Sequence, residues 1–541
     1  MSSSKRPRSD SYNGYIVVDN ALKRPSTKRA KEIDANTPYD DLVATLRKNK
    51  SEGKTRNVLH WFRSKDIRQE DNKALHAAAE KAKKGGNLIT MYLHSPEDLE
   101  WHGTSPARSD FIFECLKILQ AQLEKKHIPL AIVTCENRKH KTKAVQEFIK
   151  KHDISHVFSN MEYEVDELRR DVDLAKKAQA EGISFEVLHD QCAVPPVTLK
   201  TGSGGPHKVF TPYHKVWLAE MRKKDTPFLR VVPPPEGNEK GKEDLSALFG
   251  SKLPTLPEGK QFVSDAERDR IRALWPAGHD AGMKRLSKFL DDKVSNYAAR
   301  RSEPAGDPTS RLSPYFSAGI ISVREALQVA QAWNKGKHFD AGDEGVASWV
   351  REIVFREFYR QQTVITPHVS MNLPVNLKFD NVQWREDKEG WEKWCEGRTG
   401  VPWVDAGMRQ LNTEAYMHNR LRMTTASYLR ANLLIDYRKG ERYFAEHLID
   451  WDMSNNTQGW DPSYTVFNPT LQAEKCDKQG DYIRKWVPEL KDVKGKAVFA
   501  PFERLSEKEF KKLSYPEPHC DYSETSARAK ARYKEDLANA P

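Results

Sequence analysis

Residues 404–460 read VDAGMRQLNTEAYMHNRLRMTTASYLRANLLIDYRKGERYFAEHLIDWDMSNNTQGW, and this stretch decides the fold of the C-terminal half. Leu411, Met417 and Leu421 follow helical periodicity and can face a core. Asn419 and Arg422 lie among them, although unpaired polar groups are costly in an apolar interior. The stretch therefore predicts helices that enclose a polar partner.

Three ordered motifs in and after this stretch carry a resemblance to a known family. They are MHNRLRM at 417–423, LIDWD at 448–452 and FNPTLQ at 467–472. They resemble the flavin-binding helical domain of DNA photolyases and cryptochromes, and the resemblance extends from about residue 56 to residue 490. It implies FAD as cofactor and damaged DNA as partner. The implied activity is light-driven repair of cyclobutane pyrimidine dimers, in which excited reduced FAD passes an electron to a flipped-out dimer.

Other functions stay open at this stage. A cryptochrome-like blue-light photoreceptor without repair activity is the first alternative, and a flavin-free nucleic-acid-binding protein is the second, because a charge of +11 suits a polyanion. Within the family, Met417-His418-Asn419 argues against repair of the (6-4) photoproduct, whose enzymes generally place histidines here. Asn456 argues against the plant cryptochrome pattern, which has Asp at that position.

Composition describes an aromatic-rich globular protein. The chain has 541 residues, 38% of them hydrophobic and 13 of them Trp, which allows two or more domains with sizeable cores. No run approaches the ~18 apolar residues that a membrane span needs. The six cysteines show no CxxC pair, which favours a reducing intracellular setting. We expect a monomer.

The N-terminal arm, residues 1–54, is basic and predicted to be disordered apart from a short helix near Leu42–Arg47. Its basic clusters, Lys5-Arg6-Pro7-Arg8 and Lys23-Arg24 with Lys28-Arg29-Ala30-Lys31, are spaced like a two-part nuclear-import signal. The arm therefore predicts a nuclear protein, with the mitochondrion as a further location. A solvated basic tail is the other interpretation.

Residues 55–190 predict an α/β domain with a doubly wound parallel sheet, because short apolar runs alternate with helical stretches. The predicted strands are Val58–Phe62, Leu88–Leu93, Leu130–Cys135, His156–Ser159 and Phe185–Leu188, and the predicted helices are Lys73–Lys84, Asp110–Lys125, Thr142–Lys151 and Asp166–Ala180. No GxGxxG follows the first strand, so a dinucleotide fingerprint is absent.

The motif at 61–75, WFRSKDIRQEDNKAL, resembles the start of the photolyase antenna domain. The resemblance implies a folate antenna, 5,10-methenyltetrahydrofolate, with His102, Asp166 and Glu167 at matching positions. Taken alone, His102 is better explained as an ordinary surface or capping residue. The chain has Ser370-Met371 where the family usually has a Cys.

The rest of the chain divides into three parts. Residues 191–264 form an interdomain linker, within which HKVFTPYHKVWL at 207–218 is apolar enough to dock. Residues 265–515 predict an all-α FAD-binding domain, and 516–541 a tail.

The segment DPTSRLSP at 307–314 offers hydroxyls, backbone N–H groups and a guanidinium to a diphosphate, although it also reads as a helix cap. The resemblance assigns it to the FAD phosphates. The cofactor-binding residues it implies are Tyr297, Thr309, Ser310, Arg311, Leu312, Ser313, Trp349, Arg356, Tyr416, Arg422, Asp450, Trp451, Asp452 and Asn456.

Trp349, Glu352, Phe355 and Arg356 share one face of a predicted helix. An amphipathic helix with an exposed ion pair would look the same. The resemblance instead places this face against the flavin and the lesion, with Glu352 and Asn419 hydrogen-bonding the dimer. The implied DNA and lesion contacts are Arg301, Glu352, Phe355, Tyr359, Asn419, Arg420, Met423 and Gln472.

Asp450 and Asp452 could bind a metal or act as a general acid/base pair. The resemblance instead assigns them to the adenosine and isoalloxazine groups and places Asn456 at flavin N5, where an amide can accept from a protonated nitrogen. We therefore predict no metal.

Four features depart from the family. The electron relay to the flavin is usually three tryptophans, and the matching positions here are Trp460, Tyr437 and Trp384; with Asn456 and Glu352 they form the predicted catalytic set. Phe355 and Tyr416 stand where Trp is common. The loop after Trp460 is shorter than usual, and this loop helps to shape the lesion pocket.

Overall fold

The computed structural model describes residues 15–16, 24–48, 54–238 and 245–540. Its strands are Tyr15–Ile16, Arg24–Pro25, Asn57–Phe62, Leu88–His94, Leu130–Thr134, Ile154–Asn160 and Ser184–Leu188. The α-helices of the N-terminal half are Thr27–Ala35, Pro38–Lys48, Lys73–Ala82, Pro96–Trp101, Pro106–Glu124, Lys141–Lys151, Val165–Ala180 and Phe210–Met221.

The α-helices of the C-terminal half are Asp265–Leu274, His279–Asp292, Val294–Arg300, Ser313–Ser317, Val323–Trp333, Glu344–Ile365, Lys388–Glu396, Pro402–Glu414, Asn419–Ser427, Tyr437–His447, Met453–Trp460, Pro469–Cys476, Asp481–Trp486, Pro501–Arg504, Glu507–Phe510 and Tyr522–Ala538. The described helices include none that is both long enough and apolar enough to cross a membrane.

Five parallel strands form the predicted doubly wound sheet. In spatial order they are Leu130–Thr134, Leu88–His94, Asn57–Phe62, Ile154–Asn160 and Ser184–Leu188. Val58 packs with Leu75 in the cluster on one face, whereas Leu59 packs with Val145 and Leu174 on the other. Because successive strand side chains alternate between faces, the central strand is buried on both sides, and this explains its apolar run. The predictions of an α/β N-terminal domain with a parallel sheet and of a helical C-terminal domain are both confirmed.

The N-terminal arm is more ordered than predicted between Arg24 and Lys48. Thr27–Ala35 and Pro38–Lys48 are helices, and they bury Ile33 and Leu42 against the rest of the protein. The short helix predicted near Leu42–Arg47 is present within Pro38–Lys48. The disorder prediction is wrong for the preceding helix Thr27–Ala35, whose buried Ile33 packs against surfaces far along the chain. The Lys5 to Arg8 cluster lies outside the described residues.

The linker contains the docked segment that its apolar residues predict. Helix Phe210–Met221 buries Tyr213 and Trp217. The Trp217 indole N–H donates to Glu357 Oε2 at 2.8 Å, on the long helix Glu344–Ile365. The linker is therefore bound to the helical domain through this helix.

The C-terminal tail is a structural part of the helical domain rather than an appendage. Helix Tyr522–Ala538 buries Tyr533 completely, and its phenol donates to the carbonyl oxygen of Arg430 at 2.7 Å. Ala529 and Leu537 pack in the same apolar cluster. The predicted boundary at residue 515 is therefore too early.

A buried ion network joins the two domains. Arg324, on a helix of the C-terminal half, pairs with Asp71 at 2.9 Å and with Asp190 at 2.6 Å, and Arg68 also pairs with Asp190. All four side chains are almost fully buried. Such pairs stabilise a junction only when both partners are present, so this network fixes how the domains face each other.

Candidate flavin and lesion site

The segment at 309–311 has the features of an anion-binding turn. Arg311 has a φ of +49°, a left-handed conformation that is costly for a residue with a side chain. Its guanidinium donates to Asp307 at 2.7 Å and Glu414 at 3.2 Å. The Thr309 hydroxyl is buried without a hydrogen-bond partner. A donor of this kind is expected to meet a bound acceptor.

Tyr416 lies between two guanidinium groups. Arg311 lies 4.9 Å and Arg422 5.4 Å from the centre of its ring, and Trp275 packs beside it at 5.3 Å. Burial raises the pKa of Tyr416, so the phenol stays protonated. The arrangement places two permanent cations against one aromatic ring.

Asp450 and Asp452 pair with separate arginines. Arg422 donates to Asp450 Oδ2 at 2.7 Å, while Asp450 Oδ1 is buried without a partner. Asp452 pairs with Arg360 and accepts from the backbone N–H of Asn455 at 3.0 Å. Burial alone would raise the pKa of Asp452, but the neighbouring arginine cations outweigh burial and lower it to about 2.

These residues fit FAD better than a metal ion. The unpartnered Thr309 hydroxyl and the Arg311 guanidinium can bind phosphate oxygens, and the free oxygen of Asp450 can accept from a ring N–H. Each aspartate already has an arginine, which would repel a metal cation.

Other predicted cofactor residues line the same region. Trp349 donates to Ser310 Oγ at 3.3 Å, and Trp349 and Tyr297 both contact Phe289. Leu312 is buried and Ser313 begins helix Ser313–Ser317. The hydrogen bond from Trp349 to Ser310 therefore helps to hold the turn at 309–311 in its conformation.

Arg356 has a different environment from the one its predicted role requires. It donates to the carbonyl oxygens of Gln191 at 2.7 Å and Phe316 at 2.9 Å. The guanidinium thus links the linker to the helical domain, and its charge is directed to main-chain carbonyls.

A cleft of about 350 Å³ joins the predicted antenna and flavin residues. Its walls include His102, Asp166, Trp451 and Asn456. The Asn456 side-chain nitrogen donates to the carbonyl oxygen of Glu441 at 3.0 Å. Burial raises the pKa of Glu441 to about 8.

Glu167 lies in a second cavity, of about 140 Å³, at the carboxyl ends of the central strands. His102 lines both cavities, and its Nε2 lies 3.8 Å from Glu167 Oε1. The three predicted antenna residues are therefore neighbours that line two cavities: Glu167 lines the smaller one, Asp166 the larger one and His102 both. Trp451 also lines both cavities and stacks near His102, at 6.3 Å between ring centres.

The predicted lesion residues form two groups. Arg301 pairs with Glu352, and the neighbouring Ser302 accepts from Arg420 Nε at 3.0 Å. Met423, 36% exposed, lies beside Arg420. Asn419 is also exposed, so this first group presents a polar and basic surface to solvent.

The second group is aromatic. Phe355 contacts Tyr359, at 6.2 Å between ring centres, and stacks on Phe210 with ring planes 6° apart. Phe210 begins the linker helix and was not predicted as a site residue. Its aromatic neighbours in the sequence gave no sign of the long-range contact. Gln472 lies partly buried on helix Pro469–Cys476.

Only two members of the predicted electron relay are in ring contact. Tyr437 and Trp384 lie 6.0 Å apart, centre to centre. Within the described residues, the ring contacts recorded for Trp460 are with Trp394 at 6.1 Å and Phe444 at 4.9 Å. The step from Trp460 to Tyr437 is therefore not a direct ring contact.

The combined fold and site define a flavoprotein of the photolyase and cryptochrome class, and comparisons with known proteins identify the family. Residues 58–236 match the family described as DNA photolyase, and residues 349–535 match the FAD binding domain of DNA photolyase. The chain is 41% identical to the deoxyribodipyrimidine photo-lyase of Neurospora crassa, over 98% of this chain and 88% of that protein. The chain belongs to the DNA photolyase family.

Two solved structures have the same architecture. A bacterial class III photolyase from Agrobacterium tumefaciens superposes with a TM-score of 0.76 at 30% identity, covering 90% of this chain and 99% of that one. A cryptochrome from Synechocystis superposes with a TM-score of 0.72 at 26% identity, covering 89% and 99%.

Proposed function

We propose that this protein repairs cyclobutane pyrimidine dimers in DNA with light. The observation that carries the proposal is the buried Thr309, Arg311 and Asp450 cradle in a chain that belongs to the DNA photolyase family. FAD, in its reduced form, supplies the electron that light drives into the dimer and receives it back after the ring has split.

The side chains around the cradle have separate tasks in this proposal. Arg311 and Thr309 bind the diphosphate, and Arg422 with Asp450 holds a ring edge. Glu352 and Asn419 form hydrogen bonds with the flipped-out dimer. Phe355 supplies a stacking surface worth about 1–3 kcal/mol per base. Arg301 and Arg420 bind backbone phosphates, so affinity for DNA falls as salt rises.

Light-dependent repair by chemically reduced protein tests this proposal. Protein reduced with dithionite is mixed with a dimer-containing oligonucleotide and illuminated, and a matched sample stays in the dark. Restoration of intact pyrimidines only under illumination is the expected result. An intact flavin spectrum without restored pyrimidines would refute the repair function.

The antenna proposal is a folate, 5,10-methenyltetrahydrofolate, in the larger cleft. Its support is the cleft of about 350 Å³ that includes His102 and Asp166. Reconstitution with the folate should quench its fluorescence and add its absorption to the action spectrum. Asp166→Ala should weaken binding, whereas Asp173→Ala, two turns further along the same helix and not among the residues that line the cleft, should not.

We further propose a nuclear monomer. Support for nuclear import is the pair of basic clusters, although Lys28-Arg29-Ala30-Lys31 of the second one lies in helix Thr27–Ala35 with Ala30 buried. An import receptor that binds extended chain would have to release this helix. Fluorescent fusions with and without residues 1–14 test the nuclear location, and mitochondrial fluorescence would contradict it. Light scattering tests the monomeric state.

A light sensor without repair activity is the second candidate. The stacking of Phe210 on Phe355 supports it, because one face of the proposed lesion platform is already covered. Under this alternative the protein binds FAD and responds to light, but dimers survive illumination of the reduced protein. The repair assay therefore separates the two functions.

A further inference from the structure

The aromatic neighbours of Trp460 form a line that reaches the surface. Trp460 lies 6.1 Å from Trp394, and Trp394 stacks on Trp391 at 5.5 Å, with ring planes 22° apart. Trp460 and Trp394 are buried, whereas Trp391 is partly exposed. Rings this close can pass an electron from one to the next, and the three indoles connect the buried end of helix Met453–Trp460 with solvent.

The predicted route through Tyr437 meets an obstacle at its phenol. A tyrosine that loses an electron must release its proton, and the Tyr437 hydroxyl is buried without a hydrogen-bond partner. Burial also raises the pKa of this phenol well above its usual range. The indole N–H of Trp384, the next member, is likewise buried without a partner.

The environment of Trp394 favours transient oxidation. Its indole N–H donates to the carbonyl oxygen of Thr425 at 3.1 Å, and this dipole stabilises a positive charge on the ring. An oxidised indole can pass its charge on before it loses its proton. Trp391, at the partly exposed end of the line, can release a proton to water.

We propose that Trp394 and Trp391 carry electrons from the surface to Trp460 during photoreduction of the oxidised flavin, in place of Tyr437 and Trp384. The inference rests on the proposed FAD site. Trp460 gives one electron to the photoexcited flavin, Trp394 refills Trp460, and Trp391 refills Trp394. The oxidised Trp391 releases its N–H proton to water. A thiol in solution then returns one electron and one proton to Trp391 and becomes a thiyl radical, and two such thiyl radicals combine to form a disulfide.

Four single variants in the FAD-loaded protein separate the two routes: Trp391→Phe, Trp394→Phe, Tyr437→Phe and Trp384→Phe. Oxidised protein is illuminated with blue light and a thiol, and loss of the oxidised flavin absorption is followed. Trp391→Phe and Trp394→Phe should slow reduction at least tenfold, while Tyr437→Phe and Trp384→Phe should stay within twofold of the parent. The reverse pattern, or equal rates in all four, would overturn the proposal.

A second measurement locates the radical directly. Illumination with a nitroso spin trap, followed by peptide mass spectrometry, should place the adduct on Trp391; an adduct confined to Trp384 would overturn the route. Flavin content and melting temperature of each variant control for folding. Repair by dithionite-reduced protein bypasses the relay, so a failed repair assay with normal photoreduction rejects the repair function alone.

Discussion

Replacement of Arg360 by Met tests the buried ion pair that holds Asp452. Arg360 is 1% exposed, pairs with Asp452, and also donates to Gln191 Oε1 at 3.2 Å. Methionine keeps much of the aliphatic volume but none of the donors. Because removal of one partner leaves an uncompensated buried charge, we expect a loss of about 3–5 kcal/mol in the free energy of unfolding.

The same substitution should change the pH dependence of stability. The pKa of Asp452 is about 2 in the folded protein, below the usual value of 3.8. The ionised pair therefore contributes stability, about 2 kcal/mol, that is fully present above about pH 4 and is lost as the pH falls through about 2. In Arg360→Met the folded pKa rises, so the variant should lose less stability than the parent on acidification from about pH 5 to about pH 3.

Thermal unfolding of protein stripped of flavin measures both effects. A loss of this size lowers the melting temperature by roughly 6–20 °C for a domain of about 150–250 residues. The double variant Arg360→Met/Asp452→Asn should recover part of the loss, because the buried charge is gone. Arg398→Met is the matched surface control: its pair with Glu396 has side chains 59% and 51% exposed, so we expect less than about 1 kcal/mol. A loss of 1 kcal/mol lowers the melting temperature of such a domain by at least about 2 °C. If the melting temperature of Arg360→Met lies within about 2 °C of the parent value, the reasoning is refuted.

Three further predictions concern packing. An added Cβ at Gly440 would lie 2.3 Å from the Trp460 ring, so Gly440→Ala should destabilise by about 1–3 kcal/mol in urea unfolding; Gly459→Ala, with nothing within 4 Å, should not. Tyr533→Phe loses the hydrogen bond to Arg430 and should cost about 1 kcal/mol, whereas Tyr437→Phe removes an unpartnered hydroxyl and should be neutral or stabilising. Truncation of residues 1–36 removes the buried Ile33 and should lower the melting temperature, whereas truncation of residues 1–14 should not; equal melting temperatures would contradict the docking of this arm.

The parallel sheet could be predicted closely because each strand is an apolar run between polar turns. The predicted Val58–Phe62 and the observed Asn57–Phe62 differ by one residue, and both faces of that strand are covered. The terminal segments could not be predicted in the same way. Ile33 is buried with Val165 and Met371, which are far away in sequence. Local periodicity cannot reveal a partner surface that only the folded chain creates.

Within the candidate site, a motif could indicate local geometry, whereas the assignment of its residues to FAD stays a prediction. The segment at 309–311 shows strain and an unpartnered hydroxyl, as expected of a residue set that meets a ligand. Contacts between distant segments were not predictable. The stacking of Phe210 on Phe355 joins the linker to the long helix, and the pair of Trp460 with Trp394 joins two helices. No spacing within either segment encodes these contacts.

The three positions where family tryptophans are replaced share a structural consequence. Phe355 stacks on Phe210, and Tyr416 packs on Trp275. In the predicted relay Tyr437 is the next ring after Trp460, but the ring of Trp460 contacts Trp394. In each case a second aromatic ring from another segment lies against the replaced position or against its predicted relay partner. The energy of each ring contact is therefore best measured with a double-mutant cycle, because the stability effects of two residues in contact are not additive.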